Sequence, residues 1–148
     1  MDTTALPDTP EAMAKRETLI ELAATDLDAV IEQLLPLLSH PDQMNLPTVR
    51  GNIQSMANGL GNEVFARQQR AIMARPDSRP TLKTITCPTL VICGQDDLIT
   101  PPPLAKEIAS GISQAKLEII PACGHLATLD QPEAVCEILL GWIKGNKF

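Results

Sequence analysis

The chain has 148 residues with 12 basic and 18 acidic side chains, a net charge of −6; that length suits one domain burying roughly 70% of its unfolded surface. Hydrophobic residues at 44% and charged residues at 20% exclude a disordered chain. The negative charge and the three aromatics (Phe65, Trp142, Phe148) argue against a nucleic-acid partner, and no apolar run nears the ~18 residues of a membrane span. The start, Met1-Asp2-Thr3-Thr4, lacks the basic and apolar regions of a leader, so the expected location is cytoplasmic, with no membrane partner.

In chain order, the first half reads as helices. Thr9 followed by Pro10 is an N-cap and N1 pair opening a helix to about Ala24. Asp26 caps the next, where Leu27, Val30, Ile31, Leu34, Leu35 and Leu38 form one apolar stripe. Pro36 lies inside that stripe and is expected to kink or interrupt it. A third stripe, Val49, Ile53, Met56, Ala57 and Leu60, ends at Gly59/Gly61, and Asn62 caps a fourth helix through Phe65, Gln69, Ile72 and Met73. Such stripes need a surface to cover.

Residues 75–80, with two prolines around Asp77 and Ser78, form a connecting loop. The Arg75/Asp77/Ser78/Arg79 cluster reads as turn capping and ion pairing, with a carboxylate-binding role as the alternative. The rhythm then changes. Residues 88–93 are apolar, β-branched and bounded by Pro88 and Gly94, which predicts a strand buried on both faces. A helix opened by Pro101, Pro102 and Pro103 follows, then a second strand over 116–120 and a Pro-Ala-Cys-Gly-His loop. The last helix starts near Pro132 and carries Val135, Ile138, Leu139 and Trp142. This β-α-β-α order implies two adjacent parallel strands.

Cys87, Cys93, Cys123 and Cys136 are spaced by 6, 30 and 13 residues, which is no zinc pattern. They read as buried, reduced thiols, with Cys123, two residues before a histidine, the one candidate for reactivity. Two histidines and scattered acids give no metal-ligand spacing either.

The topology brings chemistry together. Parallel strands end on one edge, where open α/β sheets place their sites. The first strand runs into Gly94-Gln95-Asp96-Asp97 and the second into Ala122-Cys123-Gly124-His125. With neighbouring strands ~4.8 Å apart, a carboxylate and an imidazole from these loops come within hydrogen-bond reach. An aspartate holding one ring nitrogen leaves the other as a general base.

The run from Pro88 to Pro102, an apolar strand, Gly94-x-x-Asp97 and Thr100-Pro101, resembles the acid-bearing strand and loop of the α/β-hydrolase family. Ile120-Pro-Ala-Cys-Gly-His125, followed by Gln131-Pro-Glu-Ala-Val135, resembles its histidine loop and last helix. The resemblance covers about residues 80–145 and implies a partial α/β-hydrolase fold. In it a helical cap, residues 1–74, precedes the C-terminal part of the core, residues 75–148. It further implies a hydrolase of carboxylic esters or lactones, enol-lactonase-like, with Asp97 as the acid and His125 as the base of a Ser-Asp-His triad. Asp96 is the alternative acid, and His40, in a Ser-His-Pro turn, reads as solvated or capping.

The family's serine sits on a Gly-x-Ser-x-Gly turn. None of Ser39, Ser55, Ser78, Ser110 and Ser113 has that context. The expectation is therefore the C-terminal half of a hydrolase, inactive alone, its nucleophile coming from another polypeptide, a complementary N-terminal half, or from upstream sequence. The alternative is an inactive remnant serving as an interaction or structural module; the isolated chain is in addition expected to self-associate through an exposed sheet edge, or to be only partly ordered in residues 1–74. The substrate implied is a small ester or lactone, and no cofactor is implied.

Overall fold

The computed structural model describes residues 1–146, so Phe148 lies outside the described residues. Helix α1 (Pro10–Ala23) starts where the Thr9 hydroxyl accepts from Ala12 N, and α2 (Leu27–Leu38) where Asp26 accepts from Ala29 N. Contrary to the sequence expectation, α2 runs unbroken through Pro36. The proline lies in the last turn, where one lost donor costs little continuity. A single turn, α3 (Pro41–Met44), is capped by His40, whose Nδ1 accepts from Asp42 N. Then α4 (Pro47–Met73) bends at Gly61, whose φ of 77° only glycine adopts without strain. That is where the sequence separates its third and fourth helices. Ile31, Leu35, Val49 and Ile53 bury the seam between α2 and α4.

Past a loop at residues 75–78 comes a further turn, α5 (Arg79–Leu82), where the sequence reading placed a capped turn; Asp77 Oδ1 accepts from Arg79 N at 3.0 Å. The charged cluster here makes ion pairs: Arg79 grips Asp77 at 2.6 Å on the surface and lies 3.8 Å from Glu107, and Arg75 lies 3.8 Å from Asp8. Strand β1 (Thr89–Gly94), helix α6 (Pro102–Gly111) and strand β2 (Ala115–Ile120) follow. The strands pair in parallel from Thr89 opposite Ala115 to Gly94 opposite Ile120. Pro101 caps α6 from outside, one residue later than expected. A short α7 (Ala127–Asp130), unforeseen in the sequence reading, leads into α8 (Pro132–Gly145).

Alternation along β1 divides the core. Val91 and Cys93 pack with Ala105 and Ile108 of α6, while Ile92 packs with Ile120, Ala127 and Val135 on the α8 side. β1 is thus apolar on both faces because a helix covers each. Of the four thiols, Cys93 and Cys123 are buried, but Cys87 and Cys136 are exposed, correcting the sequence expectation. Cys87 precedes β1, and Cys136 sits on the outer side of α8 next to buried Val135. Among the described residues, no helix is long and apolar enough to cross a membrane.

Candidate active site

The acid and histidine loops leave the same end of the sheet and are laced together by their backbones. Gln95 N donates to Ile120 O at 2.8 Å and Asp96 N to Cys123 O at 2.9 Å. Ala122 takes a left-handed backbone, φ 50°, at the turn of the histidine loop. The Gln131 side-chain amide donates to the Ala122 carbonyl at 2.8 Å.

Asp97 and His125 meet, as the topology predicted. His125 Nδ1 lies 3.0 Å from Asp97 Oδ2 and 3.1 Å from Oδ1, the tautomer with a proton on Nδ1 being the one that satisfies the carboxylate. Asp97 is 2% exposed and well supplied with donors. Its Oδ1 accepts from Ile99 N at 2.8 Å and Thr100 N at 2.9 Å, and its Oδ2 from the Thr100 hydroxyl at 2.8 Å. Burial pushes this carboxyl upward, but the hydrogen bonds from His125 and Thr100 outweigh it and hold the acid at about 2. Asp97 is therefore charged at neutral pH.

Asp96 points elsewhere. Its carboxylate is nearly half exposed and lies 3.6 Å from His40 Nε2. His40 is a capping residue, as read from the sequence, and in addition joins its turn to the acid loop, a link the sequence did not reveal. Cys123 is fully buried, and burial pushes its thiol up to about 12. The expectation of a reactive Cys123 is overturned.

Two other residues were missed. The Thr100 hydroxyl also lies 3.3 Å from His125 Nδ1, bracing the pair from the side. The Asp2 carboxyl stands beside the pair, and burial pushes it up to about 6 against the pull of His125. One atom from each of Asp2, Asp97 and His125 falls within 4.8 Å, a grouping with metal-ligand residue types. Asp97's oxygens, however, are already committed to Ile99, Thr100 and His125, which leaves the trio poorly suited to a cation. Asp2 had no motif to mark it, but Gly94-x-x-Asp97-x-x-Thr100 spaced the Thr100 hydroxyl where it bonds back to its own loop.

A carboxylate thus meets one imidazole nitrogen at the end of a pair of parallel strands. Residues 5–138 match the model of the alpha/beta hydrolase family, and the chain belongs to that family. The 3-oxoadipate enol-lactonase 1 of Acinetobacter baylyi is 32% identical over 103 residues, 70% of this chain and 38% of that protein. Among solved structures, an esterase from Thermogutta terrifontis matches with a TM-score of 0.89 and 34% identity, over 97% of this chain and 54% of that one. The enol-lactonase from Burkholderia xenovorans LB400 matches with a TM-score of 0.85 and 26% identity, over the same shares. The chain spans about half the length of these structures and about a third of the curated relatives it matches.

Proposed function

We propose that this chain supplies the acid and the base of a carboxylic ester or lactone hydrolase. Asp97 fixes the His125 tautomer and stabilises the imidazolium that forms during turnover, and Nε2 removes the proton from the attacking hydroxyl. The observation carrying this reading is the 3.0 Å contact from His125 Nδ1 to a buried, charged Asp97. The esterase and enol-lactonase relatives support the substrate class. Residues 1–74 act as a helical cap over the site, and residues 75–148 as the C-terminal part of the core. The N-terminal part of the fold, from upstream in the same polypeptide or from another one, pairs along β1 and brings the serine nucleophile and the oxyanion hole, which carry most such catalysis.

The test is reconstitution. The chain is mixed with the N-terminal half of a related esterase, and hydrolysis of a short p-nitrophenyl ester is followed. Turnover is expected only with both parts, falling about 10⁴-fold with Asp97→Asn and further with His125→Ala. The chain alone is expected to do no better than free imidazole. Turnover by the chain alone that His125→Ala abolishes would contradict the need for a second half. Reconstituted turnover indifferent to His125→Ala would overturn the reading.

A further inference from the structure

Asp130 closes α7 and is 3% exposed, a buried carboxylate. Burying such a group is costly unless donors surround it, and here they come from two different parts of the fold. Oδ2 accepts from Gly124 N at 2.7 Å and from His40 N at 2.8 Å, and Oδ1 accepts from the Ser39 hydroxyl. Ser39 is itself 3% exposed and follows the last residue of α2. On the other side of His125, Leu126 N donates to Leu38 O at 2.8 Å. Both neighbours of His125 are therefore tied to the end of α2, Gly124 through Asp130 and Leu126 directly.

The fit leaves no slack. A Cβ on Gly124 would stand 2.8 Å from His40 N and 3.0 Å from Asp130 Oδ2. Were filling space the only requirement at position 130, an apolar side chain would do it without the desolvation cost. The carboxylate instead converts the position of the Ser39–His40 turn into a position for the Gly124 amide, in the residue just before the one that faces Asp97.

We infer that Asp130 is a positioning residue for His125, a group through which the helical segment 1–74 holds the Gly124 side of the histidine loop in register with Asp97. The inference rests on the reading of Asp97 and His125 as acid and base. Asp130 acts through the backbone of Gly124 and not on the reacting atoms.

The experiment uses the whole chain labelled with ¹⁵N. It follows the Nδ1–H proton signal of His125 and the exchange rate of the Gly124 amide. In Asp130→Ala, Gly124 exchange is expected to quicken at least ~10-fold and the Nδ1–H signal to vanish into solvent exchange, while β1 and β2 amides keep their protection. Asp130→Asn keeps an oxygen for the two backbone donors, and the Ser39 hydroxyl can turn to accept from the new amide. It is expected to stay within ~3-fold of the parent. A folded Asp130→Ala with parent-like imidazole signal and Gly124 exchange overturns the inference. So does an Asp130→Asn that matches a disturbed Asp130→Ala, because then the acceptor oxygen is not what matters. Should Asp130→Ala not fold, Ser39→Ala carries the same readouts: faster Gly124 exchange supports the inference and parent-like behaviour overturns it. None of these signals needs turnover, so failure here is separable from failure of the hydrolase reading.

Discussion

Gly94 and Gly124 face each other where β1 and β2 give way to their loops, so closely that a methyl group on Gly94 would overlap the carbonyl oxygens of Gly124 and Cys123. The obstruction is backbone, which cannot swing aside as a side chain would. This approach lets a residue three positions past Gly94 touch a residue one position past Gly124. Gly94→Ala should therefore cost at least ~3 kcal/mol and part Asp97 from His125. Gly141→Ala in α8, where the added methyl meets nothing, is the control and should change stability by no more than ~1 kcal/mol. Urea denaturation of the two variants checks this, and a loss below ~1 kcal/mol for Gly94→Ala would contradict it.

The sequence made the strands, their parallel pairing and the Asp97–His125 meeting legible, because these follow from local signals: an apolar β-branched run, a glycine register, a crossover helix. The break at Gly61 was legible for the same reason. What escaped was non-local. Asp130 lies 90 residues from His40, and nothing in either segment announces that one accepts from the other. Pro36 misled because its cost depends on how near the helix end it falls. Cys87 and Cys136 misled because an apolar neighbour in sequence need not share its burial.

The depressed Asp97 acid gives the fold a defined acid limit. Its ordinary value is 3.8 and its folded value about 2, so its contribution to stability is complete above about pH 4 and is lost as the pH falls through 2. Thr100→Val removes the hydroxyl that donates to Oδ2. It should cost about 1–2 kcal/mol at neutral pH, raise the Asp97 titration midpoint and move acid unfolding to higher pH. Asp2 has the opposite sign. Burial lifts it from 3.8 to about 6, so its favourable contribution is present below about pH 4 and fades as the pH rises through 6. Asp2→Asn should flatten that decline. Carboxyl ¹³C titration and melting temperature against pH, measured on all three proteins, check both signs.

The thiols should divide by position. Cys87 and Cys136 are exposed, whereas burial pushes Cys93 up to about 11 and Cys123 up to about 12. A disulfide reagent at mildly alkaline pH should modify the first two at the rate of a free thiol and leave the second two until the protein unfolds. Mapping the labelled peptides decides it. Early modification of Cys123 would mean that the histidine loop opens readily.

The last expectation concerns the side of β1 that faces away from β2. Among the described residues the sheet has two strands, and the run from Thr89 to Gly94 holds no charge and no proline that would discourage a further strand. Met1, Asp2 and Thr3 line a crevice with Val91, Ile92 and Cys93, so the first residues lie against part of β1. Three residues reach only ~10 Å, about half the ~20 Å of a six-residue strand. The remainder presents amides and carbonyls that a strand from another chain would satisfy, and two strands alone are marginal. The isolated chain should therefore self-associate, with its scattering mass rising with concentration and β1 amides exchanging more slowly in the associated form. Adding the N-terminal half of a related esterase should compete with that association for the same edge. A stable monomer at high concentration, with protected amides along β1 and through residues 1–74, would show that the edge is already satisfied.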